Sequence, residues 1–358
     1  MTDVYKRLAK RLDELPNGYP ATESGVELRI LEKIFTPEEA EMALKIRAMP
    51  ETVEAVAERL EKSVPDMQAI LDNLVEKGQI GSFKFGGQQV YMFFPFVVGI
   101  YEFQLNRMDK ELSDLFEEYV PELITAVGRY EPSATRVVPV NTQISAELQV
   151  FRHEDVRRML EDAKSFELNE CICRKERALQ GEPCKHPLET CLAFSNEEGA
   201  FDRYPTGKII SKEEALKVIA DAEEEGLVHC TYNIEEGHVF FCNCCPCCCG
   251  ILRGVKEFNA PYLLAKSHYV ASINQDECVQ CGVCADERCP MDAIVEEDGA
   301  YRVVPERCIG CGVCTPTCPT ESITLVRKPE SEQVKPPSNL IEWNLKRAAS
   351  RGIEIKID

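Results

Sequence analysis

All 19 cysteines of this 358-residue chain lie between Cys171 and Cys318. That clustering constrains the fold more than any other feature, because so many thiols in one stretch need more than packing to hold them. A secreted disulfide framework is short, and it rarely takes the form of C-x-x-C runs in a chain without a leader. Here Met1-Thr2-Asp3-Val4-Tyr5-Lys6 leads into an amphipathic charged segment, with no apolar leader core. Metal ligation in a reducing compartment is the reading that fits. The 41 Lys+Arg against 61 Asp+Glu leave a net charge of −20, which argues against a chain that coats nucleic acid or an anionic membrane. The longest apolar run, Phe93 to Tyr101, is about half of a bilayer span. A cytoplasmic protein is expected.

The cysteines contain a repeat. Cys278-Val279-Gln280-Cys281-Gly282-Val283-Cys284 matches Cys308-Ile309-Gly310-Cys311-Gly312-Val313-Cys314 at a period of about thirty residues. Each half runs on to a Cys-Pro pair, Cys289-Pro290 and Cys318-Pro319, and to an isoleucine, Ile294 and Ile323. Asp298-Gly299 between the halves has the composition of a hairpin turn. The spacing C-x2-C-x2-C-x3-C-P lets a compact loop wrap three corners of a cubane and send a fourth thiolate to its twin. Gly282 and Gly312 leave room for backbone N–H groups near the sulfurs, and each proline fixes φ after the crossing cysteine.

Residues 270–328 thus resemble a bacterial-type two-cluster ferredoxin. The resemblance implies one [4Fe–4S] on Cys278, Cys281, Cys284 and Cys318, and a second on Cys308, Cys311, Cys314 and Cys289. One departure is present: four residues separate Cys284 from Cys289, where the pattern has three. Paired zinc knuckles are the alternative, but they lack this pseudo-symmetry of cysteines and prolines. Such clusters have no open coordination site, so their chemistry is one-electron transfer.

Upstream lie Cys171, Cys173, Cys184, Cys191, Cys230, Cys242, Cys244, Cys245, Cys247, Cys248 and Cys249. These exceed any structural use of buried free cysteine, so one or two further iron–sulfur clusters are expected, with zinc or a redox dithiol as the lesser readings. One ligand set is Cys171, Cys173, Cys184 and Cys191, the other a subset of the later thiols; mixed sets are equally allowed, because spacing does not fix tertiary pairing. Arg174 and Lys175 beside the thiols favour thiolate. Adjacent cysteines such as Cys244-Cys245 are not expected to share one metal. Of the histidines, His186 and His229 stand beside cysteines but are weighed as ordinary polar contacts.

The segments before and after are read from periodicity and caps. A helix is expected over 2–15, then Thr36 with Pro37 and Glu39 opens another, Glu51 to Leu60 forms a third, and Ser63 with Pro65 opens a fourth. Ile80–Phe85 and Val90–Phe94 around Gly86-Gly87 read as a hairpin. Residues 28–95 thus resemble a winged helix. Its third helix offers Asp66, Gln68, Asp72, Asn73 and Glu76, which repel phosphate, so protein docking or a homodimer is preferred to DNA. Helices are also expected over 106–129, 153–164 and 211–226, a linker over 329–338, and a closing helix and strand. Trp343 is expected to pack that helix on the body.

The expected architecture is α+β and multidomain: an N-terminal helix (1–27), a winged-helix-like and helical domain (28–130), a cysteine-rich metal-binding domain (131–269), the two-cluster module (270–328) and a linker with a terminal helix and strand (329–358). The whole resembles the multi-cluster iron–sulfur proteins of anaerobic bacteria and archaea. That implies a non-catalytic electron-transfer subunit, partnered by a flavin or molybdenum/tungsten oxidoreductase. An iron–sulfur-sensing regulator, or an oxidoreductase using a cluster or dithiol in residues 230–249, are the alternatives.

Overall fold

The structure is a computed structural model that describes residues 3–140 and 151–354. Helix Asp3–Asp13 buries Val4, Leu8 and Leu12 and is followed by helices Val26–Ile34, Pro37–Ala43, Val53–Arg59 and Val64–Glu76. The start signals act as caps. Thr36 and Glu39 form a reciprocal capping box, and the side chains of Thr52 and Ser63 accept from the backbone three residues on. Burial pushes the Glu39 carboxyl up, yet Lys77, the Thr36 N–H and the Gln79 amide outweigh it and hold it at about 2. Strands β1 (Gly81–Phe85) and β2 (Gln88–Met92) form the hairpin, and Glu51 bridges to Tyr91. Helix Lys110–Val127, capped by Asp109, closes this core.

Seven strands then make one sheet: β3 (Thr135–Val138), β4 (Ser165–Glu170), β5 (Glu189–Ser195), β6 (Lys208–Ile210), β7 (Val228–Tyr232), β8 (Phe240–Cys244) and β9 (Leu264–Ala265). Their order is β6-β4-β5-β8-β7-β3-β9, antiparallel except at β3–β9. Alternation along the strands gives the sheet two different faces. Phe166, Leu192, Phe194 and Phe241 pack with Ile219 of helix Lys212–Glu224 on one face. Val137, Val228, Cys230 and Cys244 belong to the other, in a core shared with the ferredoxin-like end of the chain.

That end is built from β10 (Tyr269–Ile273) paired with β13 (Ile323–Arg327), and β11 (Ile294–Glu297) paired with β12 (Ala300–Val303). Asp298 and Gly299 both take positive φ, the two-residue turn their composition implies. Helix Leu340–Arg351 closes the described chain, with Trp343 buried and its Nε1 donating to the Ser133 carbonyl at 2.8 Å.

One expectation needs correction. Residues 153–164 are not one helix: a 3-10 turn at Arg152–Glu154 and a short helix Val156–Met159 meet at Asp155, whose carboxylate caps Arg157 and Arg158. Glu154 is held away from a helical path by its contacts with His268 (2.7 Å) and Arg327 (3.5 Å). Gly352 at φ 69° ends the last helix, and the expected closing strand over 353–357 lies mostly outside the described residues.

Candidate iron–sulfur sites

The repeat folds into two cavities of like size. Cys278, Cys281, Cys284 and Cys318 line one of about 350 Å³, counting its open mouth. Cys289, Cys308, Cys311 and Cys314 line another of about 330 Å³. In each, three thiols come from one half of the repeat and the fourth from the other. The two crossing cysteines have matching surroundings. Cys289 receives backbone N–H groups of Met291, Ala293 and Ile294, and Cys318 those of Thr320 and Ile323 with the Ser322 hydroxyl. Burial raises the Cys318 thiol, but these donors prevail and bring it to about 7. Donors of this kind stabilise a thiolate bonded to iron.

The extra residue between Cys284 and Cys289 is taken up by a wide turn, Cys284–Arg288, closed by Cys289 N–H on the Cys284 carbonyl at 3.1 Å. The turn also aims Arg288. Its guanidinium donates to the Val313, Glu224 and Glu223 carbonyls, tying the repeat to the end of helix Lys212–Glu224.

Gly310 is a position that motif reading passed over, because the matching residue in the first half is Gln280. Both have positive φ, 67° and 56°. At Gly310, however, a Cβ would overlap Ser267 Oγ and the Tyr269 carbonyl. Gly310→Ala is expected to cost about 2–4 kcal/mol, from left-handed strain plus overpacking. Gln280→Gly, which relieves strain at an exposed site, is expected to be near neutral; urea unfolding of the anaerobic protein compares the two.

The two cavities differ in exposure. Cys308, Cys311 and Cys314 are buried in the core shared with the sheet, and Val140 N–H donates to the Cys311 carbonyl at 2.9 Å. Cys281 is exposed, and Val279 beside it is 60% exposed.

The upstream thiols divide into mixed sets, which the spacing leaves open. Cys171, Cys173, Cys184 and Cys191 do not come together as one set. Instead Cys184, from the loop after helix Ile172–Leu179, meets Cys245, Cys247 and Cys248 in the turn after β8. The Cys248 thiol is the largest influence lowering Cys245, to about 4, with Arg174 adding to it. The other seven form a line, with Cys230, Cys244 and Cys249 buried and the rest partly so: Cys171 adjoins Cys173, then follow Cys249, Cys244 and Cys242, with Cys230 beside Cys244 and Cys191 beside Cys242. Neither histidine beside a cysteine joins a thiol group. His229 faces Asn243 (2.6 Å), and His186 faces Glu225 (3.2 Å).

Comparison with known proteins fits this geometry. Residues 271–325 match the 4Fe-4S dicluster domain family. The C-terminal module is a dicluster ferredoxin domain. It is similar to a ferredoxin of Rickettsia felis (43% identical over 70 residues, 19% of this chain and 54% of the relative). It is also similar to one component of the Na(+)-translocating ferredoxin:NAD(+) oxidoreductase complex of Acetobacterium woodii (47% over 58 residues, 16% of this chain and 16% of the relative). Electron transport protein HydN of Escherichia coli is 33% identical over 70 residues, 18% of this chain and 40% of the relative. The chain thus spans about half or less of the curated relatives it matches. No solved structure matches it. The dicluster domain carries two [4Fe–4S] clusters and gives the chain an iron–sulfur electron-transfer role. Two cavities, each lined by four thiols, fit that pair. Among the described residues, no helix is long and apolar enough to cross a membrane.

Proposed function

We propose that the chain passes single electrons between a redox enzyme and its own clusters. Cys278, Cys281, Cys284 and Cys318 hold the outer cluster, and Cys289, Cys308, Cys311 and Cys314 the inner one. The observation that carries this is the pair of four-thiol cavities, one with an exposed thiol, Cys281, and one whose Cys308, Cys311 and Cys314 are buried in the core shared with the sheet. The seven upstream thiols outside the Cys184 group extend that line and supply the ligands of a further cluster. When bound, the clusters accept and release one electron each; the polypeptide sets their potentials through N–H donors and burial.

The partner docks at the outer cluster. Exposed Val279 provides an apolar centre, and the exposed Asp276, Glu277, Asp286 and Glu287 surround it with negative charge. A basic rim around the partner's redox centre complements that face. The name of the A. woodii relative, a component of a ferredoxin:NAD(+) oxidoreductase complex, supports a redox enzyme as partner, and we propose one of the flavin or molybdenum/tungsten kind.

The helical N-terminal part, read as a winged helix, serves docking within the chain. Asp72 of helix Val64–Glu76 accepts from Tyr204 and Arg203, so this face meets the middle domain in place of a DNA groove. The test is an anaerobic reductive titration followed by electron paramagnetic resonance. Two one-electron steps are expected from the ferredoxin pair, the exposed cluster reduced at the higher potential because water stabilises the added charge, and one more from the further cluster. Absence of any reducible cluster signal overturns the reading.

A further inference from the structure

We propose that Cys184, Cys245, Cys247 and Cys248 form a mononuclear tetrathiolate site for one thiophilic divalent ion, zinc or ferrous iron, separate from the ferredoxin clusters. The spacing of the sulfurs is what distinguishes it. All four lie within 4.8 Å of one another, with Cys184–Cys247 at 3.6 Å and Cys184–Cys245 and Cys247–Cys248 at 3.7 Å. Four thiolates bonded to a single ion at about 2.3 Å stand about 3.8 Å apart at tetrahedral angles. Four thiolates on the corners of a cubane bind different irons and stand roughly 6 Å apart. The same chain supplies a comparison. Among the described residues, neither ferredoxin quartet draws even three sulfurs within 4.8 Å. The 184/245/247/248 set is therefore too tight for a cubane and the right size for one ion.

The backbone explains how adjacent cysteines come to share an ion. Cys245-Pro246-Cys247-Cys248 is a turn between β8 and helix Gly250–Glu257, and it brings three thiols to one side. Cys184 approaches from across 61 residues of chain, so the ion clips two distant loops together. Cys245 and Cys248 are buried, Cys184 is partly so, and Cys247 is exposed, which places the ion at the surface with an entry path. Arg174, 2% exposed and beside Cys245, offsets the net negative charge of four thiolates around a divalent ion. On binding, the thiols release their protons to solvent and the ion keeps its oxidation state.

This site does not depend on the electron-carrier reading, and its test is separate. Zinc, iron and acid-labile sulfide are counted in anaerobically purified full-length protein and in Cys184→Ser and Cys247→Ser. Each variant is expected to lose about one metal ion with sulfide unchanged. Lost zinc, or lost iron without sulfide, supports the site and tells the two ions apart. Loss of about four iron with matching sulfide, or no loss of metal, overturns it. Cobalt(II) in the unaltered protein is expected to show the visible bands of tetrahedral thiolate, absent from both variants. Cys247 is exposed, so its replacement leaves packing untouched, and the ferredoxin cluster signals report that both variants are folded.

Discussion

Cys318→Ala is expected to abolish the cluster of Cys278, Cys281 and Cys284, and to spare the cluster of its sequence neighbours Cys308, Cys311 and Cys314. The Sγ of Cys318 lines the first cavity, while Cys289 lines the second. Cys278→Ala should therefore remove the same reduced signal, with a loss of up to about four irons per chain. Residues acting on one unit are not additive, so the double variant loses no more than either single one. A Cys278→Ala/Cys289→Ala variant, by contrast, damages both clusters. If each half of the repeat kept its own fourth ligand, these two outcomes would be exchanged. Iron and sulfide counts with low-temperature spectra of the four proteins decide it.

Arg347→Met is expected to lower stability by about 3–5 kcal/mol, on the order of 10 °C in thermal midpoint, without loss of cluster iron. Arg347 is fully buried and, among the described residues, has no carboxylate partner in its seat. Its guanidinium donates to four carbonyls: Tyr130 at 2.6 Å, Pro132 at 2.7 Å, Pro16 at 3.2 Å, and Val127. Methionine fills the volume and leaves those carbonyls unmet, each a desolvated acceptor. Arg347→Lys keeps the charge but not the planar fork, so an intermediate loss is expected. Calorimetry of the anaerobic protein measures both.

What could be read from residues alone follows from how local each feature is. The repeat was legible because its ligands sit at short fixed steps, and the crossing of Cys289 and Cys318 came with the resemblance. Helix starts at Thr36, Ser63 and Ser211 were legible for the same reason, since a cap acts over three residues. The upstream thiols were not, because Cys184 finds its neighbours 61 residues on. The seven-stranded sheet was hidden by its own cysteines. Cys242 and Cys244 lie on the face of β8 turned to the core shared with the ferredoxin-like end, where aliphatic residues would have shown the alternation. Residues 153–164 had helical periodicity, but Asp155 and the pairing of Glu154 with His268 impose a bend that no pattern records. Nothing local marks Arg347, whose carbonyl partners all lie more than 200 residues away in sequence.

The seat of Arg347 has a consequence in time. Its bond to Pro16 joins residues 331 positions apart, and Arg351 reaches Asp13 and Leu15 in the same way. A ribosome delivers the N-terminal helices and every cysteine before it makes either arginine, and earlier segments fold first. The thiols therefore emerge while the two ends of the described chain are still unfastened. Helix Leu340–Arg351, which ties residues 13–16 to the far end of the described chain, is thus made only after every cysteine.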